Sequence, residues 1–478
     1  MTDFKQTTRT ERDALGELAV PSDAYYGIHT LRAVRNFPLS GYRLHPALIR
    51  ALAQVKRACA RTNALLGHLS GERGRAIENA CAEMVSGFLH DQVVVDAFQG
   101  GAGTSTNMNL NEVLASRAAE LLGGTRGQWA LVDPLRHVNL HQSTNDVYPT
   151  ALRVAVLTML ADLEVAVSGL QESLQAKEAE LRDVIKPGRT ELMDAVPMTL
   201  GMTFGAFADA VARDRWRVFK CRERLKRVNL GGTAIGTGLG APRDYILAVT
   251  GHLADITGLP VSRAENLVDA TQNMDVFVET SGMLKACAAN LMKIASDLRL
   301  LASGPEAGLG ELRLPALQAG SSIMAGKINP VMPEAVTQAS LRVMANDQTI
   351  ALAAGMGQLE LNQLMPLVAH TILESLTLLT NSCQGLATRC VNGIEAGRER
   401  CRQLAEKSGA LATVLVPALG YERVQQLLSD ARDSGRSVRD QAVLDGLATP
   451  EALDRLLSPN RLCKLGFTPG DFDGVTIP

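Results

Sequence analysis

Residues 149–182 read PTALRVAVLTMLADLEVAVSGLQESLQAKEAELR, and this stretch decides the fold class. After Pro149 it holds no further proline and one glycine, Gly169. Its apolar residues return at Leu152, Val156, Met159, Leu160, Leu163, Val167, Leu170 and Leu174, mostly three or four apart. That period belongs to a helix of 3.6 residues per turn and not to a strand, whose side chains alternate. At 1.5 Å per residue the helix runs to roughly 50 Å. Stretches of the same kind cover about 198–229, 275–303, 334–364 and 367–396, the last two divided by Pro366. Helices this long cannot each bury a full face inside one small domain. They predict an all-α, mainly helical chain around a long central bundle whose spare apolar surface is covered by other subunits.

The composition agrees. Apolar residues make up 46 % of the 478 and aromatics 4 %, so the core must come from Leu, Ala, Val and Met, which favours helices over strands. The length exceeds one compact core. Three domains are expected: residues 1–143, mixed and mostly helical; 144–396, the long-helix bundle; and 397–478, small and built of short helices broken by Pro417, Gly420, Gly435 and Pro450. Within the first, residues 1–44 read as short and turn-rich, and helical periodicity begins near His45 and again at Glu72.

Several function classes drop out. A net charge of −2 without a long run of either sign argues against nucleic acid or a membrane surface as partner. No apolar stretch is long enough to span a bilayer, and the opening MTDFKQTTRTERD does not read as a signal peptide. The eight cysteines (59, 81, 221, 287, 383, 390, 401, 463) include no C-x-x-C pair and read as reduced core residues of a cytoplasmic protein. The histidines show no metal spacing. GGAGTSTN at 100–107 lacks the lysine of a phosphate loop, and no strand precedes GGTAIGTG at 231–238, which reads as a turn between helices. No metal and no cofactor are expected.

Chemistry concentrates in four polar clusters. QAGSSIMAGKINPVMPEAVTQ, 318–338, places Ser321, Ser322, Lys327 and Asn329 on a glycine-hinged loop that can fold over a small anion, and Pro333 and Glu334 suit the first turn of the next helix. HVNLHQSTNDVYPT, 137–150, carries Ser143, Thr144 and Asn145 just ahead of the long helix, where such residues cap helices or bind ligands. The others are GTSTNMNLNEVLA from Gly103 and GRTELMDAVPMTLG from Gly188.

Together these strings resemble the three signature regions of the aspartase/fumarase superfamily, whose loop reads GSSIMPxKxNP and whose middle motif reads HVNxxQSTND. The resemblance runs through the chain in order, including ALGELAVPSDAYYGIHTLRAVRNFP near the start and YERVQQLLSDARDSGRSVRDQAVLDGLATPEALDRLLSP near the end. It implies a homotetramer with a superhelical bundle core and active sites shared between subunits. It also implies an ammonia-lyase that reversibly deaminates L-aspartate, a small dicarboxylate amino acid, to fumarate and ammonia by anti elimination. The intermediate is a dianionic aci-carboxylate, which demands fixed hydrogen-bond donors in a water-excluding site. By the same resemblance Ser321 is the base, and Thr104, Ser143 and Thr144, helped by Ser322, hold the carboxylate that becomes the aci form. Thr190, Lys327 and Asn329 hold the other carboxylate, and Asn145 faces the amine. His141 stands where relatives carry a small residue and is expected in a supporting or packing role.

The main departure is Glu191, where relatives carry His or Gln. Fumarases pair that His with the glutamate corresponding to Glu334, so here two carboxylates would face each other. This argues against fumarase chemistry. It leaves open two lyase readings, aspartate itself or a substituted amine on an aspartate-like acid, and, from another class, a retired enzyme kept as a structural bundle. Ala325 replaces the signature proline, and Met202-Thr203 replaces Gln-Glu.

Overall fold

The computed structural model describes residues 7–476. The chain begins with an antiparallel hairpin, β1 (Thr8–Asp13) and β2 (Gly16–Pro21), in register from Thr8↔Pro21 to Asp13↔Gly16. Helix α1 (Ile28–Asn36) follows. Val20, Ala24 and Ile28 form the small core that ties them together. The turn-rich reading of this region missed both elements because the apolar residues are too few to show a period. The start of α1 is held from a distance. The buried Glu112 carboxylate accepts N–H bonds from Gly27, His29 and Thr30 at 2.8–3.1 Å, satisfying a helix end that has no side-chain cap of its own.

Helices α2 (Pro46–Leu65), α3 (Gly71–Val85) and α4 (Thr104–Leu121) come next. The buried face of α2, with Leu48, Leu52, Val55 and Cys59, packs on α3, whose inner face is Ile77, Cys81 and Met84. A single π turn at Pro134–Val138, capped by the Asp133 carboxylate, delivers the chain to the long helix α5 (Thr144–Glu180). At 1.5 Å per residue its 37 residues reach roughly 55 Å.

The sequence alone suggested a start after Pro149, yet α5 begins at Thr144 and contains the proline. Pro149 has no N–H to give to the carbonyl of Asn145, one turn back. The Asn229 side chain supplies the missing donor, Nδ2 to Asn145 O at 2.9 Å, and the helix passes through.

Between α5 and α6 (Leu200–Leu225) lies a hairpin that helical periodicity did not announce, β3 (Ile185–Thr190) and β4 (Met193–Thr199). Its turn residues Glu191 and Leu192 both have positive φ, 55° and 66°. Such a turn matches the twist of an antiparallel pair, but neither residue is one that tolerates this backbone cheaply. Then follow α7 (Arg243–Thr257), α8 (Leu267–Gln272), α9 (Asp275–Leu301), α10 (Val331–Gly355) and α11 (Met365–Arg389). Short helices complete the chain: α12 (Arg398–Lys407), α13 (Val416–Leu419), α14 (Tyr421–Ser434), α15 (Val438–Leu444), α16 (Pro450–Leu456) and α17 (Pro459–Leu462). The expectation of a mainly helical chain with five long helices holds. Two further strand pairs are two residues each.

Two compact units emerge. One comprises the stretch up to Glu164, Trp216–Ala288 and Leu341–Thr380; the other comprises Val165–Arg215, Ala289–Ser340 and the stretch from Asn381 onward. The division falls inside each of the five long helices. In the second unit the C-terminal helices enclose their own core, with Ala412, Leu415, Leu427, Leu453, Phe472 and Val475. All eight cysteines are free, seven buried and Cys463 exposed. No helix of the described residues is long and apolar enough to cross a membrane.

Asn229 is fully buried and joins three elements: besides Asn145 O it donates to Thr271 Oγ1 at 2.9 Å and accepts from Thr150 Oγ1 at 3.2 Å. Asn229→Ala strands these groups without water. A loss of about 2–3 kcal/mol in chemical denaturation is expected, and an unchanged midpoint would show that α5 carries its proline unaided.

Candidate active site

The first unit brings the Thr104 end of α4 to the start of α5. Gly103 precedes α4 with φ of 95°, and a Cβ there would meet the Tyr148 ring at 2.4 Å, so only glycine lets the loop close onto α5. One turn into α4, Asn107 Nδ2 donates to Thr144 Oγ1 at 3.1 Å. Thr144 therefore receives a hydrogen bond and keeps its own proton to give.

Ser143 is in the same position. Its Oγ accepts from Asn145 N at 3.2 Å, while its N–H goes to Asp146 Oδ1 at 2.9 Å, a reciprocal cap on α5. The serine that binding motifs would use is thus also the helix cap, and its hydroxyl proton stays free. Asn145 gives Nδ2 to Ala234 O at 2.8 Å, which leaves Oδ1 as an outward acceptor. Thr104 differs: it is exposed and donates its proton to Gly101 O at 2.7 Å. Holding a carboxylate requires that hydroxyl to turn.

His141 sits beside these residues with φ of 60°. Its Nδ1 lies 2.7 Å from Asn63 Oδ1, and its ring packs edge-on against His68 and Tyr245. Burial, followed by the neighbouring His68, holds its pKa below the usual value.

Beneath the cluster lies a polar network that the sequence did not flag. Lys56, on α2, is 0 % exposed and gives Nζ to Asn139 Oδ1 and Gln142 Oε1, both at 2.9 Å. Asn107 and Asn111 also donate to Asn139 Oδ1, at 3.1 and 3.2 Å. Asp146, likewise 0 % exposed, accepts from Gly231 N and Thr233 N at 3.1 Å in addition to Ser143 N. The glycine-rich string 231–238 is therefore pinned to the site through Asp146 and Asn145, and does more than turn the chain. Burial pushes Asp146 up to about 6 and Lys56 down to about 8, so between those values both carry charge. Asn139, Gln142 and Asp146 stood inside the quoted motif without an assigned role. Nothing in sequence distinguishes Lys56 from a surface lysine.

The second unit holds the remaining candidates in two places. The loop before α10 closes on itself: Gly320 N donates to Lys327 O at 2.9 Å, and Asn329 Nδ2 donates to Gly320 O at 2.7 Å. A Cβ on Gly320 would lie 2.2 Å from Lys327 O, so glycine is required for the closure. Ser321 Oγ accepts two backbone N–H groups, from Ile323 at 3.2 Å and Met324 at 2.9 Å. Ser322 and Lys327 are exposed, and Ile323 is 88 % exposed, an apolar tip with nothing over it in the single chain.

Thr190 and Glu191 occupy the exposed β3–β4 turn, away from that loop in the sense that no hydrogen bond or ion pair joins the two among the described residues. Among the described residues Glu191 has neither kind of partner, whereas Glu334 lies 3.9 Å from Arg299. Behind the turn, Arg189 Nη2 and Lys186 Nζ meet the fully buried Glu311 at 2.7 and 3.3 Å, anchoring the hairpin stem. Among the described residues no group of three or more His, Cys, Asp or Glu is arranged to hold a metal ion.

Comparison with known proteins bears on this arrangement. The family described as Lyase matches residues 16–345, and that described as Fumarase C C-terminus matches residues 411–464. The chain is 46 % identical to the aspartate ammonia-lyase of a Bacillus species, over 96 % of this chain and 98 % of that one. It is 48 % identical to the aspartate ammonia-lyase of Pseudomonas aeruginosa, over 95 % and 97 %. Among solved structures it is similar to the fumarate lyase:delta crystallin of Brucella melitensis in cobalt-bound form, with 49 % identity, a TM-score of 0.92, and coverage of 96 % of this chain and 100 % of the other.

Asp146→Ala leaves three N–H groups, two of them buried, without an acceptor and Lys56 without its countercharge. A stability loss of about 3–5 kcal/mol is expected in denaturant titration. Retained stability would mean that water replaces the carboxylate and that the 231–238 string holds itself.

Proposed function

Because this chain belongs to the Lyase family, within the aspartase/fumarase superfamily, we propose that it is an ammonia-lyase converting L-aspartate reversibly to fumarate and ammonia. It is a carbon–nitrogen lyase. The proposal rests most heavily on the two backbone N–H groups directed at Ser321 Oγ. A serine hydroxyl is too weak an acid to yield an alkoxide in water, but N–H donors already in place stabilise the oxyanion without reorganisation. The same loop carries Lys327 and Asn329, the cation and amide suited to a substrate carboxylate.

In the reaction, the Ser321 alkoxide takes the proton from the carbon beside one carboxylate, and the C–H electron pair moves into that carboxylate as the dianionic aci form. Ser143 and Thr144 donate to it, each holding a proton because its own oxygen already accepts a bond. Ser322 and, once released from Gly101 O, the Thr104 hydroxyl assist. The pair then returns to form the C=C bond as the C–N bond on the neighbouring carbon breaks and the amine leaves as ammonia. Asn145 faces that amine with an acceptor oxygen, the right polarity for an ammonium. Thr190, Lys327 and Asn329 hold the second carboxylate. His141 and Glu334 stand behind this set.

These groups are divided between the two units, and the proposal includes a cytoplasmic homotetramer in which neighbouring subunits complete each site. The exposed apolar residues of the 318–330 loop (Ile323, Met324, Ile328) and of the hairpin (Leu192, Met193, Val196) support it. The division into domains 1–143, 144–396 and 397–478 remains our reading of the chain order.

Glu191 favours a second, narrower reading. An unpartnered carboxylate held on a strained turn suits a cation, and the substrate ammonium is the available one. It fits aspartate, and it fits equally an aspartate-like acid bearing a substituted amine.

Fumarate absorbance on addition of L-aspartate tests the activity. Ser321→Ala is expected to lower kcat by about 10²–10⁴-fold while a dicarboxylate inhibitor still binds; undiminished turnover removes Ser321 as base. Glu191→Gln is expected to keep kcat/KM for aspartate within about tenfold. A collapse would instead mark the carboxylate as a group that holds the substrate amine.

A further inference from the structure

A cavity lies in the first unit, built around a charge the proposed reaction does not use. Arg153 stands in the apolar stripe of α5, beside Leu152 and Val156, and is 5 % exposed. Among the described residues no carboxylate comes within 4.0 Å of its guanidinium, and its Nε has no hydrogen-bond partner. One face is covered by the Phe277 ring, 5.5 Å from Cζ to the centroid. A cation–π contact offsets part of the cost of burying a cation but supplies no acceptor for the N–H edges. Burial lowers its pKa to about 10, in spite of Asp275 and Asp269 nearby.

Arg153 lines a cavity of about 400 Å³. Two more arginines, Arg224 and Arg227, line the same space, as do four carboxylates, Glu265, Asp269, Asp275 and Glu279. Some of these charges are already engaged: Glu279 lies 3.9 Å from Arg224, and Asp269 accepts from Asn273 Nδ2 at 2.7 Å. Arg153 is not. The cavity therefore holds a buried guanidinium that is unpartnered at Nε and in no close ion pair, and its three arginines face four carboxylates. A buried guanidinium without a hydrogen-bonded anion is costly, and an orphaned donor of this kind calls for a partner.

We propose that this cavity is a binding site for a small monocarboxylate, whose carboxylate meets the Arg153 guanidinium and whose remainder, neutral or cationic, faces the acidic lining. A planar guanidinium and a carboxylate match edge to edge through two parallel N–H···O bonds. A dicarboxylate fits poorly, because its second charge lies among Glu265, Asp269 and Asp275. The site is distinct from the loop and helix-end residues above and does not depend on their assigned reaction.

The test is thermal unfolding of the full-length protein with increasing acetate or glycine, at ionic strength held constant with sodium chloride. Both are expected to raise the Tm of the wild type by about 1–3 °C. Glycine should half-saturate at lower concentration because its ammonium meets the lining carboxylates. Arg153→Met, similar in length and uncharged, should abolish both shifts without lowering the Tm in ligand-free buffer. Lys327→Met should keep both shifts in full. The proposal is overturned if neither ligand moves the wild type, if Arg153→Met still responds, or if the response disappears in Lys327→Met. Acetate binding more tightly than glycine overturns the role given to the acidic lining. Should Arg153→Met fail to fold, Arg227→Gln serves instead: a rise of about 3–10-fold in the half-saturating concentration is expected, and an unchanged value counts against the site.

Discussion

The Asp146 carboxylate is the contact on which the arrangement of the first unit turns. It is fully buried, and it accepts N–H bonds from Ser143 at the start of α5 and from Gly231 and Thr233 more than eighty residues away. One side chain thus ends a helix, docks a loop and fixes the backbone of the Ser143–Asn145 run. Lys56 balances it from below and holds Asn139 and Gln142 in place. Such a network is expensive to bury, and it is not complete: the buried Asn107 Oδ1 and Asn111 Oδ1 have no hydrogen-bond partner among the described residues. The hydroxyls of Ser143 and Thr144, whose oxygens accept within it, keep their protons to donate outward.

The second unit applies a different device. Its candidate base rests on a loop with little apolar support, so the geometry is held by hydrogen bonds to the backbone: Gly320 N to Lys327 O, the Asn329 side chain to Gly320 O, and two amides on Ser321 Oγ. Hydrogen bonds of this kind define a shape while leaving the loop free to move as a body. The β3–β4 turn does the reverse. A buried ion cluster at its stem, Lys186 and Arg189 on Glu311, is set against two residues of unfavourable φ at its tip, so the strain falls where Glu191 is displayed.

Several features were legible in sequence because they rest on local rules. The long helices announce themselves through a period of 3.6 sustained over many turns. The chemical residues stand in contiguous strings, so Ser321, Lys327, Asn329 and the Ser143–Asn145 run could be picked out together. The hairpin at 185–199 was not legible: it is short, carries prolines at 187 and 197, and has no glycine at its turn, so neither alternation nor turn chemistry marks it. The early start of α5 was hidden for a related reason. A proline reads as a helix boundary unless a distant donor is known to fill the gap, and that donor, Asn229, lies 84 residues further on.

By itself the sequence determined the helical class, the five long helices, the strings that carry chemistry and the superfamily to which they point, since each follows from residue order over a short span. Tertiary structure alone decided which oxygen donates and which accepts, because a hydroxyl's free proton depends on neighbours contributed by other helices. It also decided that Lys56 is a buried strut and Arg153 a buried cation without a close ion pair among the described residues. Lysine and arginine look the same in sequence whether water or protein surrounds them, and only the packing of α2, α5 and α9 sets how much of their charge is left uncompensated.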